Sequence, residues 1–199
     1  MQVKTKNRYM SVNIKDLFYR NNGFLRTKDF TSRSHWYHLK GLINSGEAVK
    51  LKRGLYRLQQ DCDIEQNQEI AQIVPSGVFC LFTAWQHYQL STNNPFEYHV
   101  AKNRNDKIVL PAYPPVRLYR WCENFYMLGV VDIEQIKIYD LEKSVCDAVR
   151  FRNKVGLDIA IEVVKNYVRR KDRNFSKLAQ YAQILRIEKI MQNMIMPML

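Results

Sequence analysis

Hydrophobic positions in the first sixty residues recur twice at helical spacing and then fall into two short extended runs. Ile14, Leu17 and Phe18 stand at i, i+3 and i+4, behind Ser11 as a cap, and predict a first helix. Asn21, Asn22 and Gly23 offer its left-handed stop. Phe24-Leu25 reads as a short apolar linker, Thr27 as the cap of a brief second helix through Phe30, and Thr31-Ser32 as a turn. Trp36, Leu39, Leu42 and Ile43 predict a third helix from Arg33 to Asn44, capped by Ser32 and packed on the first two. Its opposite side carries Arg33, Tyr37, Lys40 and Asn44 at i, i+4, i+7 and i+11, flanked by Ser34, His38 and Ser45. After Gly46, residues 47–58 read as two strands joined at Arg53-Gly54. Val49, Leu51 and Leu55, with Tyr56 as a further candidate, are the apolar positions there, while Lys50, Lys52, Arg53 and Arg57 project charge.

The pattern then changes twice. Residues 59–68 are polar and form either a linker or the start of a linking helix. Val78 to Phe82 is a buried apolar run, and Thr83 caps a short helix to Leu90. Strands are predicted at Tyr98–Ala101, Ile108–Leu110, Val116–Trp121, Phe125–Leu128 and Gln135–Tyr139, interrupted by Pro111, Pro114 and Pro115. From Asp140 onward the period is helical. Leu141, Val145, Ala148 and Val149 share one face; Leu157, Ala160, Ile161, Val164, Tyr167 and Val168 form a second stripe. Phe175, Leu178, Ala182 and Leu185 make a third, and Ile187, Ile190, Met191 and Met194 a fourth. The Met-rich stripe suits core or subunit contact better than a ligand surface. The expected fold class is α+β: an N-terminal winged helix-turn-helix over residues 1–60, then a mixed domain over 69–199 with a small β-sheet and a helical C-terminal part.

Charge sharpens this division. Residues 1–60 hold 13 Lys and Arg against 3 Asp and Glu, a balance of +10 within a total of +12. Such a concentration favours polyanions through counterion release. A short cationic helix with hydrogen-bonding and aromatic tips suits a major groove, and a basic hairpin beside it suits phosphates or the minor groove. The candidate DNA-binding residues are therefore Arg33, Ser34, His35, Tyr37, His38, Lys40, Lys50, Lys52, Arg53 and Arg57, with double-stranded DNA as the partner. Basic residues return at Arg150, Arg152, Lys154, Arg169 and Arg170. These are either solvated helix ends favoured by the helix dipole or a second phosphate-contacting surface.

No enzyme motif emerges, and no cofactor or metal is expected. The chain has no G-x-S-x-G elbow, no G-x-x-x-x-G-K-[ST] loop and no G-x-G-x-x-G. The nearest approach to a metal-dependent nuclease, Asp132-Ile-Glu134-Gln-Ile-Lys137, has its lysine one place too far along. His35 and His38 stand at i, i+3, but on the helix expected to meet DNA. Cys62, Cys80, Cys122 and Cys146 lack close pairing and read as reduced and mostly packed inside. There is no apolar run of membrane-spanning length and no secretory leader, so a cytoplasmic location is expected.

Four segments carry a family resemblance. Gly23-Phe-Leu-Arg-Thr-Lys-Asp-Phe30 with the helix after it, Gly46 to Leu58, and above all YDLEKSVCDAVRFRNKVGLDIA from Tyr139 to Ala160, continuing to Tyr167-Val-Arg-Arg170, resemble AbiEi-type antitoxins. LAQYAQILRIEK, from Leu178 to Lys189, is similar too. These are antitoxins of type IV toxin–antitoxin (abortive infection) systems. The resemblance implies an N-terminal domain that binds inverted repeats in its own promoter and represses it; a homodimer on DNA would suit such a repeat, though no residue specifies one. It also implies a C-terminal domain that counters a nucleotidyltransferase-like toxin without a stable complex. The other readings are a winged-helix transcriptional regulator without a toxin partner, its second domain serving dimerisation or sensing, and an enzyme.

Overall fold

The computed structural model describes residues 13–59 and 65–199, so the capping role expected of Ser11 and the environment of Cys62 lie outside the described residues. The chain is α+β and divides into two compact units, Met1–Ile73 and Val74–Leu199.

In the first unit, α1 (Ile14–Arg20) is capped by Asn13, whose side chain accepts from the Lys15 amide at 3.2 Å. Its apolar side, Ile14, Leu17 and Phe18, is buried as the spacing predicts. Asn22 and Gly23 adopt positive φ and end it. The next segment departs from expectation. Phe24–Arg26 is a strand, β1, and Thr27–Asp29 is a 3-10 turn rather than an α-helix. Three residues cannot display an alternation, so only pairing with a distant strand reveals β1. The helix α2 (Ser34–Asn44) follows, with β2 (Ala48–Lys52) and β3 (Leu55–Leu58) after it. β3 is central in an antiparallel sheet of order β1-β3-β2. One core joins these pieces, from Phe18, Leu25, Leu39 and Leu42 to Ala48, Tyr56 and Leu58. The helix α3 (Gln66–Ile73) belongs with this unit: Glu69 pairs with Arg57 at 2.8 Å, and Gln72 accepts from Arg26.

The second unit holds a five-stranded mixed sheet of order β6-β5-β4-β8-β7. Its strands are β4 (Val78–Phe79), β5 (Tyr98–Asn103), β6 (Val116–Trp121), β7 (Val130–Ile133) and β8 (Ile136–Tyr139). Ile108–Leu110 is irregular, and Phe125–Leu128 is not a strand: α5 (Glu123–Tyr126) takes its start. Phe125 and Tyr126 have strand-forming side chains, but a helical turn buries Tyr126 just as well. The helix after β4 also begins earlier than expected. It is α4 (Leu81–His87), and Thr83 lies inside it, accepting from the His99 amide at 2.8 Å instead of capping. Asp132 and Lys137 face each other across the β7–β8 hairpin, whose turn residues Glu134 and Gln135 have positive φ.

Five helices complete the unit: α6 (Leu141–Arg150), α7 (Arg152–Val155), α8 (Leu157–Val168), α9 (Phe175–Ile184) and α10 (Glu188–Ile195). α6 is central, and every residue from Leu141 to Val149 is buried, not one face alone. The α8 stripe is trimmed, since Leu157 and Ile161 are exposed while Ala160, Val163, Val164 and Tyr167 are buried. Of the four cysteines, Cys80 and Cys146 are buried and free, and Cys122 is free and half-buried. No described helix is long and apolar enough to cross a membrane.

Candidate nucleic-acid interface

The helix α2 is two-sided because its apolar residues repeat on one face only. Leu39 and Leu42 enter the core, at 1% and 9% exposure, and hold the helix against α1 and the sheet. Arg33, Tyr37, Lys40 and Asn44 are exposed along the other face, Tyr37 to 79%. Neighbouring Ser34 and His38 are exposed as well, with the His38 ring edge-on to Tyr37 at 6.0 Å. Neither Arg33 nor Lys40 has an ion-pair partner among the described residues. The face is cationic, hydrogen-bonding and unneutralised.

The N-terminus of α2 corrects two expectations. Ser32 does not cap the helix; its hydroxyl meets that of Ser34 at 2.6 Å, and Arg33 occupies the cap position with helical backbone angles. His35 leaves the predicted DNA-contact set. It is 3% exposed, edge-on to Phe30, and its Nδ1 accepts from the Thr31 amide at 3.3 Å. Position 35 lies four residues before Leu39 and so shares its inward face, where a local amide satisfies the ring. Trp36 and Ile43 move the opposite way, to 46% and 36% exposure. The Trp36 ring is edge-on to Phe30 at 5.1 Å, so it covers the rim of the core without entering it.

The hairpin splits its four cations. Lys50 is exposed on β2, and Arg53 is exposed at the turn. A bulge between Lys50 and Lys52 interrupts the register. Lys52 and Lys50 therefore lose the common face that a period of two would give them. Lys52 is half-buried, and its Nζ donates to the Ile73 carbonyl at 2.5 Å. Arg57 is drawn to Glu69 of α3 and donates to the Leu58 carbonyl. Lys52 and Arg57 thus tie the hairpin to α3 and are removed from the candidate contacts. Sequence spacing held no sign of this, because their partners lie 12 to 21 positions away.

A groove of about 790 Å³ runs beside α2, lined by Asn13, Lys15, Ser34, Tyr37, His38, Gly41, Ser45 and Glu47. Lys15 crosses it to Glu47 at 2.6 Å, and this contact with the Ser45 hydroxyl holds the Glu47 carboxyl below its usual range. Asn13 and Lys15 were not predicted site residues, since only the tertiary approach of α1 to α2 brings them here.

Three members of the second basic set, Arg150, Arg152 and Arg170, are half-buried and hold internal contacts. Arg150 lies over the Phe125 ring at 4.2 Å, with its Nη1 buried. Arg152 donates to the Val149 carbonyl at the end of α6. Arg170 bridges Asp172 and the Tyr88 carbonyl. Lys154 and Arg169 are exposed and stand apart from one another in sequence and element. Helix-end carbonyls and aromatic faces take up the three half-buried cations, in keeping with the helix-end reading of the two that the sequence offers.

The core of that unit is instead polar around α6. Lys143 and Asp147, both fully buried, pair through two contacts of 2.7 and 2.6 Å. The Lys143 ammonium also lies 4.2 Å from the Tyr139 ring centre and 4.5 Å from that of Trp121. Burial pushes the Asp147 carboxyl up, against the pull of Lys143 and Arg150. Asp140 caps α6 through the Lys143 amide and accepts from Tyr181, while Glu142 accepts from Tyr167 and the Asn174 amide. This network joins α6, α8 and α9, with Lys177 of α9 placed 3.0 Å from Asp140 and 3.7 Å from Glu142. Among the described residues no group of three or more His, Cys, Asp or Glu side chains is placed to hold a metal ion.

No protein-family model matches the chain, and no curated protein matches it. A solved structure does: the crystal structure of the RV2827C protein from Mycobacterium tuberculosis superposes with a TM-score of 0.51 at 10% identity, over 92% of this chain and 79% of that one. At such identity the likeness concerns the fold alone, a mixed α+β chain.

Proposed function

We propose that the first unit is a winged helix-turn-helix that binds double-stranded DNA, with α2 in the major groove and the β2–β3 hairpin along the backbone. The observation that carries this reading is the exposed face of Arg33, Tyr37, Lys40 and Asn44, without an ion-pair partner among the described residues and held outward by buried Leu39 and Leu42 on the same helix. Arginine reads guanine edges bidentately, asparagine reads adenine, and lysine supplies a phosphate contact. Lys50 and Arg53 extend the charge onto the hairpin. The revised contact set is Arg33, Ser34, Tyr37, His38, Lys40, Lys50 and Arg53.

On the resemblance to AbiEi-type antitoxins, the chain is a cytoplasmic autorepressor of its own promoter. Its second unit then counters a nucleotidyltransferase-like toxin. The test has two parts. Purified protein should footprint an inverted repeat upstream of its own gene, and the protection should shrink sharply between two salt concentrations. Co-expression with the product of an adjacent nucleotidyltransferase-like gene should restore growth, and should do so with the second unit's surface intact but Arg33 and Lys40 changed to alanine. Absence of any footprint rejects the DNA reading; a footprint without rescue leaves a regulator with no toxin partner.

A further inference from the structure

The exposed side of α2 contains a glycine that nothing inside the protein requires. Gly41 lies within the helix, four residues after Tyr37, three after His38 and four before Ser45. Its φ is not positive, unlike that of Gly46 just beyond the helix end, so no turn demands it. A Cβ built on it meets no heavy atom of the described residues within 4 Å, so no close approach among them demands it either. Only proline is a poorer residue than glycine within a helix, because glycine gives up the most backbone freedom. The helix therefore bears a penalty that the folded chain does not explain.

Its surroundings supply a reason. On a helical projection Gly41 falls between the Arg33–Tyr37–Lys40–Asn44 face and the Ser34–His38 edge, and it lines the groove shared with Asn13 and Lys15 of α1. Hydroxyls, an imidazole, a phenol and the Lys15–Glu47 ion pair stand around a spot with no side chain. Resting on the DNA-binding reading above, we propose that Gly41 is a positioning residue whose bare backbone seats one deoxyribose-phosphate strand in that groove. Close backbone approach to a polyanion is a recurrent use of glycine. The side chains of Ser34, Tyr37 and His38 line the seat and set the depth of α2 in the major groove.

The test is a pair of measurements of opposite sign on full-length Gly41→Ala. Thermal unfolding should rise by roughly 4 °C, since alanine restores helix propensity at an open position. Affinity for a duplex from upstream of the gene should fall about tenfold or more, with Gly41→Ser behaving alike and Gly41→Leu worse. Raised stability with unchanged affinity for all three variants would overturn the proposal while leaving DNA binding standing. Lowered stability of Gly41→Ala would overturn it too, because it would reveal an internal role for the glycine. Failure of the wild-type chain to bind any duplex would remove the parent reading instead.

Discussion

The two units use the same charged residue types in opposite ways. In the first, Arg33, Lys40, Lys50 and Arg53 face water on elements whose apolar sides are anchored beneath them. In the second, buried Lys143 and Asp147 pair with each other, and buried Asp140 and Glu142 pair with Lys177 and accept from tyrosines and backbone amides. A charge left outside without a partner is available to a ligand. A charge taken inside is committed to the fold. The contrast makes the first unit the place to look for recognition, and α6 the place to look for stability.

The sharpest break would come at α6. Replacing Lys143 with alanine leaves Asp147 buried and unpaired, and should destabilise the protein by about 3–5 kcal/mol in chemical denaturation. The paired change Lys143→Met with Asp147→Leu should cost far less, since it removes both charges together. Equal costs for the single and double variants would show that the pair is not what the core depends on.

A pH titration probes another buried group of that unit. His99 is 3% exposed, stacks on Tyr119 and shares a hydrogen bond of 2.9 Å with its hydroxyl. Burial, with help from Arg117, lowers its pKa from 6.5 to about 4. The unfolded chain then binds the proton more readily between those two values. His99 thus contributes its full stability above pH 6.5 and loses it as pH falls towards 4. The loss should be about 3 kcal/mol, and His99→Phe should flatten that part of the stability profile. An unaltered profile would contradict the assignment.

Much of this organisation is legible in the chain. Leu39 and Leu42 announce the buried side of α2, the Arg53-Gly54 turn announces the hairpin, and Val116–Trp121 reads directly as β6. What escapes is set by tertiary partners. β1 is three residues long and exists only because β3 pairs with it. His35 has the spacing of the inward face but the chemistry of a contact residue, and only burial decides between them. Arg57 and Lys52 look like their neighbours on the hairpin until α3 supplies a carboxylate and a carbonyl. Arg150 looks like a surface cation until the Phe125 ring lies beneath it.

Smaller effects sharpen the first unit. Tyr37→Ala should weaken specific DNA binding about tenfold and leave unfolding unchanged, as expected of a side chain 79% exposed. In the hairpin, Lys50→Gln and Arg53→Gln should each lower affinity a few-fold by competition binding, with stability intact. Arg57→Gln should do the reverse, costing about 0.5–1 kcal/mol of stability with little change in affinity. If Arg57 and Lys50 behaved alike, the division of the hairpin into free and committed cations would be wrong.

The central claim is tested most directly by the salt dependence of binding to the upstream duplex, measured for the wild-type chain and for Arg33→Ala with Lys40→Ala. The slope of log affinity against log salt should fall in magnitude by about 1 for the phosphate-neutralising Lys40, while loss of the Arg33 base contact should lower affinity about tenfold or more, with thermal unfolding unchanged. Identical slopes for the two proteins would contradict the assignment of α2 as the face that meets DNA.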